Sequence, residues 1–343
     1  MRHLLNSVYI LTPEAYISLD GENVVVKKSD DEIGRFPLHS VEQVVCFSYK
    51  GASPAFMGKC AEKGIELSFF TPSGRFLARV GSGVNGNVLL RREQYRVADD
   101  ESRKLPFAKA FIVGKLYNAR YVLERAKRDH AMTVDCEKLE AASATQKSAI
   151  LAANACASSD SLRGIEGEAA SAYFDVFQEL ILPKSETFRF ATRSRRPPTD
   201  PVNALLSFAY SLLANACASA LESVGLDPYV GMLHTDRPGR ESLALDLMEE
   251  LRPVLADRFV LSGINNRMFS EDMFQRIDNG AVLLNDEGRR TFLTAWKKRR
   301  DETITHPFLG EKLPWGLVPY VQSLLLARCL RGDLDGYPPF LQK

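Results

Sequence analysis

The chain has 343 residues, 45% hydrophobic and 25% charged, the mix of a folded globular protein rather than a disordered one. At roughly 150 residues per domain, that length suggests about two domains. Lysine and arginine number 44 against 43 acidic residues, a net charge of +1, so bulk charge names no partner and a nucleic-acid site must come from local clustering. No apolar run is expected to reach the roughly 18 residues of a membrane span. The opening Met1-Arg2-His3-Leu4-Leu5-Asn6 turns polar too early for a secretory signal, and a cytoplasmic protein without a membrane partner is expected. Cys46, Cys60, Cys136, Cys156, Cys217 and Cys329 are scattered with no CxxC pair, which favours small buried hydrophobes over a zinc site or a disulfide framework.

Residues up to 97 read as β-rich. Val8-Tyr9-Ile10-Leu11 is a short strand. Tyr16-Ile17-Ser18-Leu19 and Val24-Val25-Val26 flank Asp20-Gly21, turn residues that tolerate positive φ, in a hairpin pattern. Arg35-Phe36-Pro37-Leu38 and residues 41–47 add two β-like runs. A helix interrupts at 53–63, where Ser53-Pro54 supplies an N-cap and a proline at the first helical position, and Gly64 a stop. The runs 65–70 and 76–80 then flank a turn at Thr71-Pro72-Ser73-Gly74.

The texture changes after Ala98-Asp99-Asp100-Glu101-Ser102, the expected hinge. Phe107, Phe111, Leu116, Ala119, Tyr121-Val122 and Ala126 mark the apolar stripe of one long helix, with basic residues opposite. Further helices are expected at about 136–156, 160–182, 203–224, 240–252, 287–300 and 316–331. The organisation predicted is α+β and multidomain: a β-rich domain at 1–97, a linker at 98–106 and a larger all-α domain at 107–343. Ala-Asn-Ala-Cys-Ala-Ser recurs at 153–158 and 214–219 in unmatched surroundings, a coincidence of two alanine-rich helices.

Three features could carry chemistry. In Leu162-Arg163-Gly164-Ile165-Glu166-Gly167-Glu168-Ala169-Ala170, two glycines inside a helix cost on the order of 1 kcal/mol each against alanine. Their place around Glu166 suggests close approach of another backbone or a ligand. Ala170 and Tyr173 lie one and two turns beyond, so that carboxylate points inward or, on the plainer view, is solvated beside ordinary helix packing. Next, Pro238-Gly239 puts His234 in a loop, and a helix from about Arg240 to Pro253 carries Asp246 and Glu249 at i, i+3 on one face. Unpaired, those carboxylates repel unless a cation, an arginine or a proton lies between them, and Arg240 or Arg252 could serve. One imidazole with two or three carboxylates suits a hard or borderline divalent ion, Mg or Mn, acting as Lewis acid on phosphodiesters. No Walker loop, GxSxG elbow or HExxH is present. Finally, Arg189, Arg193, Arg195 and Arg196 are interleaved with Phe188 and Phe190 before Pro197-Pro198, a pattern suited to phosphate contact and stacking. Lys297-Lys298-Arg299-Arg300 is a second basic run, and either run could instead be a solvated surface.

The motifs resemble those of the CRISPR-associated endonuclease-integrase family of spacer acquisition, most of all its subtype I-C branch. The resemblance rests on Leu162-Arg163-Gly164-Ile165-Glu166-Gly167, on Arg196-Pro197-Pro198-Thr199-Asp200-Pro201-Val202-Asn203, and on His234 with Gly239-Arg240, Asp246, Glu249 and Arg252-Pro253. It implies a β-sandwich-like N-terminal domain, a helical catalytic domain, and a homodimer that joins a small ferredoxin-like partner subunit. It also implies that Glu166, His234 and Glu249 are catalytic and ligate Mg or Mn, with Asp246 assisting as a further ligand. Asn203 and Tyr210 resemble the family's asparagine-led helix, and His306 lies in a segment resembling the C-terminal part of the branch. The expected substrates are short DNA fragments and the leader-repeat of a CRISPR array. Arg163 and Arg240 are candidates for non-reacting phosphate oxygens, and Arg189, Arg193, Arg195 and Arg196 for the DNA backbone. The rivals are a stand-alone structure-selective nuclease on branched DNA and a non-catalytic DNA-binding scaffold.

Overall fold

The computed structural model describes residues 6–71, 74–80, 87–183 and 185–343, so the opening stretch 1–5 and Pro72-Ser73 of the expected turn lie outside the described residues. The chain divides into two compact units, Met1–Gly86 with Leu284–Glu302, and Asn87–Leu283 with Thr303–Lys343.

The first unit is β-rich. Strands β2 (Ala15–Asp20), β3 (Asn23–Lys28) and β4 (Asp31–Pro37) form an antiparallel meander, while β1 (Ser7–Ile10), β5 (Gln43–Cys46), β6 (Glu66–Phe70) and β7 (Phe76–Val80) form a second sheet in the order β1-β5-β6-β7. Asp20 pairs with Asn23 and Gly21 sits at φ +57°, so the Asp-Gly hairpin forms where the sequence put it. Helix α1 (Pro54–Lys63) is capped by Ser53, whose side chain accepts the Phe56 N–H, and ends at left-handed Gly64. Ile17, Val24, Val26, Val44, Phe56 and Leu67 are buried in the core of this unit. β4 starts earlier than the apolar run at 35–38 suggests, because Asp31 to Ile33 are exposed and carry no alternation to read.

The second unit is helical. Helix α2 (Val88–Asp99), which the sequence reading folded into the β-rich part, buries Leu90, Gln94 and Val97 at helical spacing. The expected linker at 98–106 is a correction as well. Only Asp100 separates α2 from α3 (Glu101–His130), its carboxylate accepting the Ser102 and Arg103 N–H groups as N-cap, and α3 runs on through Pro106. Helices α4 (Cys136–Ala155) and α5 (Ser159–Asp175) follow, and Leu105, Ile112, Leu116, Ala149, Leu162 and Ala169 share one core. Helix α6 (Pro201–Ser223) is apolar enough over 18 residues to cross a membrane, against the expectation of no such run. It is buried all round within the unit, the alternative fate of a helix apolar on every face.

Helix α7 (Ser242–Glu249) ends short of Pro253, and Pro253 does not stop the helical path. A wide π-type turn, Arg252–Asp257, leads into α8 (Arg258–Asn265). After short strands β8 (Phe274–Arg276) and β9 (Val282–Leu284), helix α9 (Asp286–Asp301) belongs to the first unit, not to the helical part to which the sequence reading assigned it. There Arg300 donates to Gln43 Oε1 at 2.6 Å and to Tyr9 and Ser7 hydroxyls, ties invisible to a local pattern. Strands β10 (Thr303–Thr305) and β11 (Lys312–Pro314) and helix α10 (Val318–Leu330) complete the second unit. Cys46, Cys60 and Cys217 are buried, Cys136, Cys156 and Cys329 partly so, and all six are free thiols.

Candidate metal centre

The site is built within the helical unit from α3, α5, α7 and the loop before α7. The α7 carboxylate Asp246 is fully buried. Its Oδ2 accepts the N–H groups of Met232 (2.6 Å) and Leu233 (2.9 Å), and its Oδ1 those of His234 (3.0 Å) and of the His234 ring at Nδ1 (2.5 Å). Four donors on one carboxylate pin the loop to the helix. Gly231 makes this possible, because a Cβ there would stand 2.8 Å from Ser242 Cβ and 2.9 Å from Asp246 Oδ2. With Nδ1 donating, Nε2 carries the lone pair and lies 4.0 Å from Glu249 Oε1.

Glu249 ends α7 and is almost fully buried. Burial alone would raise its pKa, but Arg252, at 3.2 Å from Oε1, and Lys115, at 2.8 Å from Oε2, bring it down to about 2. Apart from that Lys115 contact, Oε2 has no hydrogen-bond partner. Glu166, on α5, is bonded to the same Lys115 ammonium. Two carboxylates from different helices therefore close on one cation, with the histidine beside them. Arg163 holds α5 against the histidine loop, its Nε and Nη2 donating to Leu233 O at 3.2 and 3.1 Å while Nη1 bonds Asp160.

The structure sorts the sequence candidates. Glu166, His234 and Glu249 come together. Asp246 stands behind His234 with both oxygens occupied, so it orients the imidazole and is not a free ligand as expected. Arg163, expected on phosphate, serves the loop. Arg193, expected on DNA, is partly buried, bonding Asn203 Oδ1 at 2.7 Å and lying over the Tyr210 ring, and burial lowers its pKa. Asn203 also accepts the Ser194 N–H and donates to Thr192 O, so it fastens the arginine segment to α6. Arg195 and Arg196 are exposed and Arg240 half-buried, while Arg189 is exposed and paired loosely with Glu186. In the second basic run, Lys297 pairs with Asp301 and Arg299 with Glu302. Among the described residues, a Cβ at Gly164 or Gly167 would meet nothing within 4 Å, so the close protein contact suggested for them is not found there. His306 is fully buried and bonded to Gln322. Gln322 in turn holds Glu250, whose pKa burial pushes up to about 7.

Sequence reasoning missed Lys115 by assigning the basic residues of α3 to its solvent side. Its only signal was position, next to Leu116 and four residues after Phe111. It also missed Asp257, buried in the wide turn, which accepts the hydroxyls of Tyr210 (2.6 Å) and Tyr173 (3.3 Å). Burial raises this acid to about 6 against the pull of Tyr210, Arg252 and Arg193. Lys115, Tyr173, Phe174, Arg195, Tyr210 and Arg252 line a pocket beside the carboxylates.

As the side chains stand, no three His, Cys, Asp or Glu groups among the described residues converge tightly enough to hold a metal, and the ammonium of Lys115 lies between the carboxylates of Glu166 and Glu249. The donor set nevertheless fits a divalent ion. A cation already bridges the two carboxylates, the only polar contact of Glu249 Oε2 among the described residues is with that cation, and an oriented imidazole nitrogen lies beside them. A β-rich unit, a helical unit and this centre beside a basic pocket define an enzyme of the endonuclease class. The family model for CRISPR associated protein Cas1 matches residues 8–298. A CRISPR-associated endonuclease Cas1 of Rhodospirillum rubrum is 52% identical over 347 residues, covering all of both chains, and one of Chlorobaculum tepidum is 46% identical over 99% of each. The chain belongs to the Cas1 family. Its fold matches that of a casposase bound to integration product with a TM-score of 0.85, at 21% identity over 98% of this chain and 94% of that one.

Proposed function

We propose that this chain is the integrase of CRISPR spacer acquisition and that Glu166, His234 and Glu249 are the ligands of its catalytic ion. The observation that carries the reading is the meeting of Glu166 and Glu249 on one cation, with the His234 Nε2 4.0 Å from Glu249 Oε1. A bound Mg or Mn ion supplies Lewis acidity at a phosphodiester. Asp246 keeps the His234 imidazole in the tautomer with a free Nε2, and Arg163 holds the His234 loop to the helix of Glu166. Arg195, which lines the pocket, exposed Arg196 and half-buried Arg240 track phosphates, while open space at Gly164 and Gly167 lets a strand approach α5.

The reaction is a transesterification on DNA. A bond forms between the 3′-oxygen of a short fragment and the phosphorus at the repeat border as the bond from that phosphorus to the array's 3′-oxygen breaks. The proton of the attacking hydroxyl ends on the leaving oxygen. The proposal extends to a cytoplasmic homodimer that joins a small ferredoxin-like CRISPR-associated subunit, and to the subtype I-C branch, on the strength of the motifs at 162–167, 196–203 and 234–253. The test is the product formed from a labelled fragment and an array plasmid with the partner subunit present. Joined strands are expected; cut ends alone would favour a hydrolytic nuclease.

A further inference from the structure

The ammonium of Lys115 sits where the ligand carboxylates converge, yet it comes from α3, which carries none of the three ligands. It touches Glu166 Oε1 and Glu249 Oε2 at once, and its side chain is only 12% exposed. Resting on the metal reading above, we infer that Lys115 is a built-in counter-cation that a divalent ion must displace, and that the displaced ammonium then serves a nucleic-acid phosphate in the adjoining pocket.

Charge and space force the exchange. Glu166, Asp246 and Glu249 bring three negative charges, and Lys115 and Arg252 two positive ones. A divalent ion added to the resident lysine would leave the cluster at +1, with two cations on the same oxygens. Replacing the lysine leaves it neutral. The ammonium is tethered to α3, so it moves into the pocket that Lys115 already lines with Arg195, Tyr210 and Arg252. That pocket holds two guanidinium groups, Arg195 and Arg252, against the one carboxylate of Asp257, so a further cation there adds to a net positive charge and is unfavourable until an anion enters. Ion and phosphate therefore bind cooperatively: each lowers the cost of the lysine's move for the other. The device keeps the carboxylates paired before substrate arrives and makes the free protein a weak binder of divalent ions.

The test is Mn binding, measured by calorimetry and by the EPR signal of free Mn, with and without a short DNA duplex and with the duplex alone subtracted. Wild type is compared with Lys115→Met, Lys115→Arg and His234→Ala, each checked for fold by circular dichroism. Without DNA, Lys115→Met is expected to bind Mn at least tenfold more tightly than wild type, about 1.4 kcal/mol, and Lys115→Arg no more tightly. The duplex is expected to raise wild-type affinity for Mn at least fivefold and that of Lys115→Met less than twofold. Equal or weaker Mn binding by a folded Lys115→Met would overturn the inference, and so would a wild-type affinity indifferent to DNA, a measurement that needs no variant. Failure of the metal reading looks different: His234→Ala would then bind Mn as wild type does.

Discussion

Asp246 grips His234 twice, through the backbone N–H at 3.0 Å and the ring Nδ1 at 2.5 Å, from a position with no solvent exposure. One oxygen thus sets both the place of the loop and the tautomer of the ring. An asparagine could keep only part of this, because its amide nitrogen cannot accept from Met232 or Leu233. Asp246→Asn is expected to weaken Mn binding 10- to 100-fold, the usual effect of removing a partner behind a ligating histidine, with Glu166 and Glu249 untouched. Calorimetric titration with Mn checks it; unchanged affinity would mean the imidazole needs no support.

Gly164 and Gly167 separate stability from activity. Both lie inside α5, and a Cβ at either meets nothing within 4 Å. Gly164→Ala and Gly167→Ala should each stabilise the protein by up to about 1 kcal/mol through helix propensity, read from denaturant unfolding. If DNA passes over this face, the same substitutions reduce strand joining severalfold. Stabilisation with full activity would remove DNA from that face.

The buried acid Asp257 gives a pH dependence of defined sign. Its folded-state pKa is raised to about 6 from an ordinary 3.8, so the folded state takes up its proton first as pH falls. Its contribution to stability therefore improves on acidification through pH 6 and levels off below the unfolded value. Relative to Asp257→Asn, which does not titrate, wild type should gain on the order of 1 to 3 kcal/mol between pH 8 and pH 4. Urea unfolding of both proteins across that range measures the difference, and a difference flat with pH would contradict the raised value.

The arginines near α6 divide by burial. Arg193, bonded to Asn203 and lying over Tyr210, should cost stability when changed to alanine, by about 1 to 3 kcal/mol for a partly buried charged hydrogen bond. Exposed Arg195 and Arg196 should leave stability alone. Each alanine there should weaken DNA binding across sequences and lower the salt slope by about 1 if it contacts a phosphate. Filter binding at several salt concentrations, set beside thermal melts, distinguishes the two groups.

Local signals carried much of the fold. Ser53 with Gly64 bounded α1, valine-rich runs became β3 and β5, and the helix expected at 203–224 formed as α6 with its start two residues earlier, at the Asp200 cap. What escaped depended on distant partners. Arg300 binds Gln43, 257 positions away, and so draws α9 into the first unit; no window of sequence contains both. At the site, Glu166, His234 and Glu249 stood in short motifs and came together in the structure. Lys115 did not, because a lysine beside Leu116 looks like one more basic residue on a helix until the carboxylates of α5 and α7 are seen around it. Asp246 was legible as an acid near the centre, but its work behind the imidazole was not, since that depends on the path of the 231–234 loop.

The central claim is that phosphoryl transfer occurs at Glu166, His234 and Glu249. A strand-transfer assay on branched DNA, comparing wild type with His234→Ala in Mn and in EDTA, tests it most directly, with dimer and fold verified for both. Religated product from wild type in Mn, absent with EDTA and absent from the variant, is the expected result. Equal religation by His234→Ala would contradict the claim, and religation in EDTA would remove the metal from it.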